Sequence, residues 1–266
     1  MKLWLIVIEG ALLTIAVIAG VLAFQIWQTP IDSSATQQKA GCNKTLTIGR
    51  SVEGILIEAC RLNGVNSPAG NALLVIGTIH GDEPDGKRVV DELLTEPVPI
   101  DTEIWVIRDG NPDGAKLATR RNANEVDINR NFPIKWVASD PSARTYSGPS
   151  PASEPETLAL MNAVELIKAT RIVVFHQPYE QIDCPPERPL TISDRLSQLT
   201  GFKSQCIPGE KSGSPTNSYT GTFTIWVNST FPAATAVTFE LGVTTTQTKI
   251  ETIANALRVL AVDPSN

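Results

Sequence analysis

The chain has 266 residues, of which 42% are hydrophobic and 19% charged, with a formal net charge of −6. That length and apolar content suffice for one sizeable core. The acidic balance and the absence of Lys or Arg runs exclude nucleic-acid binding, which rests on neutralising phosphates.

Leu3 to Trp27 is almost continuously apolar, broken only by Glu9, Gly10, Thr14, Gly20 and Gln25. As a helix it would cross a hydrocarbon core of about 30 Å, and it exceeds the roughly 7–15 apolar residues of a cleaved secretory signal. Residues 1–27 are therefore expected to form one transmembrane helix anchoring the protein, or a secretion signal if cleavage occurs near Ser33-Ser34-Ala35. Glu9 reads as a tolerated polar residue near one end or facing a partner helix, with a functional intramembrane carboxylate as the alternative. Gly41-Cys42 lies too far from the apolar segment for a lipoprotein site. Residues 28–44 read as a polar linker and 45–266 as one catalytic domain.

Within the domain, Leu73–Ile79 and Ile104–Ile107 have strand character, and Glu83–Leu94 reads as a helix between them. Ser153 and Glu156 form a capping-box signature around Pro155, opening a core helix with Leu158, Met161, Val164 and Ile167 on one face. Arg171–Phe175 is a predicted strand, Ile192–Leu199 a short helix, Ala236–Leu241 a strand and Lys249–Leu260 a closing helix. The alternation implies an α/β sheet. Asp109–Ser153 and Gln177–Pro189 are Gly-, Pro- and Asn-rich, as long functional loops are.

The four cysteines form two sequence-local couples. Cys42–Cys60 and Cys184–Cys206 disulfides fit, with reduced structural cysteines as the alternative; the absence of a C-x-x-C pair argues against metal binding. Disulfides would place the domain in an oxidising space outside the cytoplasm.

The chemical candidates lie just beyond predicted strands, where open α/β sheets place ligand crevices. His80 follows the strand Leu73–Ile79, and Glu83 comes three residues later in His80-Gly81-Asp82-Glu83. His176 follows Phe175. Two imidazoles and a carboxylate, leaving a fourth coordination position for water, form the ligand set of hydrolytic zinc. A lone His at a strand end is usually an ordinary polar residue, but this chain has two histidines and both stand in such places. Glu240 is the one ionisable residue of its apolar strand; partial desolvation would raise its pKa toward that of a useful base. A solvent-facing strand-end Glu is the plain alternative. Arg120 to Phe132 concentrates guanidinium and amide groups suited to carboxylates or oxyanions, the plain alternative being a basic surface loop.

These residues resemble the zinc carboxypeptidases of the carboxypeptidase A type, in their bacterial murein peptide amidase branch. The resemblance runs through Gly49-Arg50-Ser51-Val52-Glu53-Gly54, Gly77 to Pro84, Asn111-Pro112-Asp113-Gly114, Val126 to Pro133, Phe175-His176-Gln177-Pro178 and Thr238-Phe239-Glu240-Leu241. It implies a mixed sheet of about eight strands flanked by helices. It also implies one Zn²⁺ on His80, Glu83 and His176, with Glu240 as general base and proton shuttle. Asn129 and Arg130 match the pair that grips a substrate's terminal carboxylate. Arg120 matches the arginine that polarises the scissile carbonyl, with Arg121 as fallback, and Tyr219 is the candidate for the family's mobile tyrosine. Glu125 stands where relatives carry Gly.

The implied activity is hydrolysis of a peptide or amide bond near a free carboxylate, on a murein peptide cut between γ-D-glutamate and meso-diaminopimelate. Two alternatives stand beside it. One is an N-acyl amino acid amidohydrolase of the aspartoacylase or succinylglutamate desuccinylase type, which shares the zinc motif. The other is a non-catalytic cell-wall-binding module, whose sign would be a lost ligand or base. Oligomeric state is not legible.

Overall fold

A computed structural model describes residues 41–62, 72–98, 102–184, 191–206 and 219–263. The strands are β1 (Cys42–Arg50), β2 (Leu56–Leu62), β3 (Ala72–Ile76), β4 (Glu103–Ile107), β5 (Arg171–His176), β6 (Tyr179–Ile182), β7 (Lys203–Ser204) and β8 (Thr235–Gly242). They make one mixed, eight-stranded sheet in the order β1-β2-β4-β3-β5-β8-β6-β7. The helices are α1 (Asp85–Leu93), α2 (Pro112–Leu117), α3 (Pro155–Ile167), α4 (Thr191–Thr200), α5 (Phe223–Thr230) and α6 (Gln247–Val262), with a 3-10 turn at Ile128–Arg130.

The four middle strands are mutually parallel, and their near-continuous apolar runs follow from cover on both faces. Successive side chains alternate between those faces. Leu73, Val75, Val173, Phe175, Val237 and Phe239 pack with α1, α4 and α6. Leu74, Ile76, Ile172, Val174 and Ala236 pack with α3 and α5. Phe175 and Phe239 are fully buried, their ring centres 5.2 Å apart; truncating either to Ala would cost about 3–5 kcal/mol.

Connectivity then positions the site. From β3 the chain passes to β4 on one side and returns to β5 on the other, so β3 and β5 flank the point where strand order reverses. Ligands bind outside the carboxyl ends of strands at such a point. Close packing tightens this corner: a side chain at Gly86 in α1 would collide with the Gly77 carbonyl at the exit of β3.

Several expectations need correction. The first strand starts at Cys42, so residues 42–44 belong to the sheet rather than the linker. α3 is not opened by a capping box: Glu154 is the N-cap without a side-chain cap bond. Ser153 Oγ instead donates to Glu154 Oε1, and Glu156 accepts from Val52 N and Asn122. The buried face of α3 is Ala159, Leu160, Ala163 and Val164, while Leu158 is exposed, because β1 and β2 pack one step round the helix from the expected stripe. The loop assigned to Gln177–Pro189 contains β6, which pairs antiparallel with β8. Both disulfides, Cys42–Cys60 and Cys184–Cys206, are present. The apolar segment Leu3–Trp27 lies outside the described residues, among which no helix is long and apolar enough to cross a membrane.

Candidate metal centre

The turn leaving β3 is held by Thr78, whose Oγ1 donates to the carbonyls of His80 at 2.5 Å and Glu83 at 3.2 Å, while Glu83 N donates to His80 O at 3.1 Å. This tight geometry aims His80 and Glu83 at a common point. His176 ends β5, the neighbouring strand, and completes the cluster. His80 Nδ1 lies 3.0 Å from Glu83 Oε1 and 3.1 Å from His176 Nδ1, and His176 Nδ1 lies 2.9 Å from Glu83 Oε2. Ligand atoms bonded tetrahedrally to zinc at about 2.0–2.1 Å stand roughly 3.3 Å apart. The three residues therefore fit a zinc ion in donor type and in mutual spacing.

The surrounding charges prepare that role. His80 Nε2 faces Asp127 Oδ1 at 3.0 Å, an arrangement that favours the ring proton on that side and keeps the Nδ1 lone pair, 3.1 Å from Arg120 Nη1, turned toward the cluster. Burial opposes charge on His80, but Glu83 and Asp127 outweigh it and raise its pKa. Burial holds the pKa of His176 down against the pull of Glu83. Glu83 and Asp127 are desolvated, yet the adjacent histidines, joined at Asp127 by Arg120, keep both carboxylates ionised well below the usual range.

Glu240 reaches the same centre through β8, which pairs with β5 so that Glu240 is the partner of His176. It is 7% exposed, and its Oε2 is buried without a hydrogen-bond partner among the described residues. Burial, reinforced by Glu83, pushes its carboxyl up to about 7. An orphaned carboxylate oxygen is costly. It lies beside a cluster whose donors could hold a cation.

The segment leaving α2 supplies the rest. Arg120 Nε donates to Asp127 Oδ2 at 2.9 Å and its Nη1 to Glu83 Oε1 at 3.1 Å, fixing the guanidinium over the cluster. Asn129 Oδ1 accepts from Phe223 N at 2.9 Å, which leaves its amide nitrogen 3.3 Å from His176 Nε2. Arg130 lies against the Tyr219 ring at 5.7 Å. Desolvation holds the pKa of Arg130 down, and among the described residues it has no salt bridge, so an arriving anion would relieve it. His80, Glu83, Arg120, Asn129, Arg130, His176, Tyr219 and Glu240 line one pocket of about 270 Å³, together with Arg144, Thr145, Gln177, Tyr179 and Thr238.

Arg121 is not brought in. Its Nη2 pairs with Glu125 at 2.7 Å and its Nη1 reaches the Pro141 carbonyl, both away from the pocket. Glu125 holds the left-handed backbone, φ 59°, that glycine takes more readily, so the turn is kept and the side chain serves as the partner of Arg121. Sequence reasoning does not single out Asp127, although an acid two residues before Asn129 in an amide-rich loop is a usable signal. Arg144, bound to Asp82 at 3.2 Å, carried no such signal.

The other resembling blocks brace this loop. Ser51 Oγ donates to Asp113 Oδ1 at 2.8 Å, and Asn111 caps α2 by accepting from Gly114 N at 3.0 Å. Asn131 Nδ2 donates to the carbonyls of Ser147 and Ser150.

Comparison with known proteins agrees. The profile of the zinc carboxypeptidase family matches residues 33–180. Murein peptide amidase A of Escherichia coli K12 is 35% identical over 127 residues, covering 43% of this chain and 52% of the relative. Carboxypeptidase SOL1 of Arabidopsis thaliana is 28% identical over 156 residues, covering 53% of this chain and 30% of the relative. The chain thus spans about half the length of the curated murein amidases it matches. Among solved structures, murein-tripeptide amidase MpaA from Escherichia coli O157 superposes with a TM-score of 0.69 at 25% identity, covering 87% of this chain and 98% of that one. Bovine thrombin-activatable fibrinolysis inhibitor shares the fold, with a TM-score of 0.64 at 19% identity over 86% of this chain and 90% of its own. With the profile spanning more than half of the sequence and the ligand cluster assembled as such a site requires, the chain belongs to the zinc carboxypeptidase family.

Proposed function

We propose that this protein is a zinc-dependent hydrolase of peptide or amide bonds next to a free carboxylate, acting on murein peptide between γ-D-glutamate and meso-diaminopimelate. One observation carries the reading. A three-donor cluster, a buried carboxylate with a bare oxygen, and the guanidinium groups of Arg120 and Arg130 meet in a single pocket. The substrate follows the named activity of the murein peptide amidases that the chain resembles.

In this mechanism His80, Glu83 and His176 hold the zinc ion, which when bound acidifies water and polarises a carbonyl. Asn129 and Arg130 hold the substrate's free carboxylate, and Tyr219 packs against Arg130 at the rim. Arg120, oriented by Asp127, donates to the oxygen on which negative charge develops. Glu240 takes a proton from the attacking water and returns it to the leaving nitrogen; burial raises its affinity for that proton into a useful range. Arg121 has no part in these steps.

We further place the domain outside the cytoplasm, held by the apolar amino-terminal segment. Two disulfides support an oxidising location.

The test is mass spectrometry of products after the purified full chain meets defined muropeptides, with N-acyl amino acids in parallel. Release of diaminopimelate from murein tripeptide, abolished by a chelator and restored by zinc, is expected. Hydrolysis of N-acyl amino acids alone would reject the murein assignment in favour of an acylase, and zinc-free, inactive protein would support a binding module.

A further inference from the structure

Gln177 immediately follows the ligand His176 and is the most heavily hydrogen-bonded side chain at the pocket's edge without a part in the chemistry above. Its backbone N–H donates to Glu83 Oε2 at 3.2 Å. Its side chain accepts at Oε1 from Asp85 N at 3.0 Å, and its Nε2 donates to the carbonyls of Gly242 at 2.7 Å and Val243 at 3.2 Å. A primary amide is the one neutral group able to satisfy such a set, accepting from one backbone N–H while donating twice.

Three separate stretches are joined at this residue. One is the corner between β3 and α1, which carries Glu83 and Asp85. Another is the end of β5, which carries His176. The last is the turn following β8, just beyond Glu240. Asp85 repeats the tie, its Oδ2 accepting from Thr245 N at 2.6 Å, and Arg88 Nη1 closes it by donating to Asp85 Oδ1 at 3.1 Å and Thr245 O at 2.7 Å. Within the sheet, backbone pairing fixes His176 against Glu240. No strand pairing fixes Glu83, which lies between β3 and α1.

We infer that Gln177 is a positioning residue that clasps the first turn of α1 to the ends of β5 and β8 and so sets the Glu83 carboxylate for zinc. This rests on the assignment of His80, Glu83 and His176 as the metal centre. Partners that orient ligands typically change metal affinity by about 10–100-fold when removed.

The experiment compares the full chain with Gln177→Ala and Gln177→Met, the second retaining side-chain length and packing without the hydrogen bonds. Zinc affinity is measured by competition with a chelating fluorophore, and the thermal midpoint of each metal-free protein is recorded beside it. The inference requires zinc dissociation constants raised by roughly 10–100-fold in both variants. A merely structural residue would lower the metal-free midpoint and leave zinc affinity alone. Should Gln177→Ala not fold, Gln177→Met decides. Wild-type zinc affinity in a folded variant overturns the clasp; absence of zinc binding by the wild-type protein overturns the metal centre itself.

Discussion

Replacing Glu240 by Gln should disable the enzyme and, in the metal-free protein, make it more stable. The carboxyl is 7% exposed, and its midpoint is pushed from 4.5 to about 7, first by burial and then by Glu83. The folded protein therefore holds the proton more tightly than the unfolded chain does. The carboxyl's contribution to stability is fully present below pH 4.5 and is lost as pH rises to about 7. At about 1.4 kcal/mol per pH unit, the ionised side chain costs on the order of 3 kcal/mol above that range. Glutamine keeps the shape and cannot ionise, so Glu240→Gln should gain up to that amount at about pH 8 and little near pH 5. Urea unfolding of metal-free wild-type and variant protein at the two pH values measures it. Hydrolysis by the zinc-loaded variant should fall by about 10²–10⁴-fold with zinc still bound. Equal stability at pH 8, or a gain of the same size at pH 5, would refute the costly buried carboxylate. Undiminished turnover would remove Glu240 from the mechanism.

Arg120→Met should lower kcat by about 10²–10³-fold with a much smaller change in KM, whereas Arg121→Met, paired outside the pocket, should behave as wild type; steady-state kinetics giving the reverse order would exchange their roles. For kcat/KM against pH, the acid limb should rise with ionisation of Glu240, at a midpoint between 4.5 and about 7, because zinc opposes the upward push of burial. A limb below that interval would place the base elsewhere. At Glu125, where φ is 59°, Val should destabilise by about 1–2 kcal/mol while Gly is neutral or mildly stabilising. Denaturant midpoints ranking Val above Gly would contradict a left-handed turn there.

The parts of the site legible in the sequence are those that ride on regular strands. β3, β5 and β8 show as apolar runs, and the residues just beyond or at their ends, His80, His176 and Glu240, are conspicuous because so little else there ionises. Other features depend on tertiary context. Tyr179–Ile182 is a strand because β8 offers an edge, and its half-exposed Tyr-Glu-Gln carries no local signal of that. Arg120 and Arg121 are chemically identical neighbours, and the partners the fold offers, Asp127 and Glu83 to one and Glu125 and the Pro141 carbonyl to the other, decide which one faces the cluster. In the same way Asn129 meets the pocket while Asn122 and Asn131 tie down loop backbone, though in sequence all are amides in one Asn-rich stretch. The expected capping box failed for a related reason: Glu156 already had better partners in Val52 N and Asn122.

Because β8 alternates, Thr238 and Glu240 look into the pocket while Val237, Phe239 and Leu241 fill the opposite face. A deletion of one residue upstream of Glu240 in this strand would therefore exchange the two sets, bringing Leu241 to the position Glu240 occupies and turning the carboxylate to the oily side. Length changes here are forbidden to drift and to design alike, whereas point substitutions on either face can be explored separately, which makes β8 the strand along which a library should vary identity and never count.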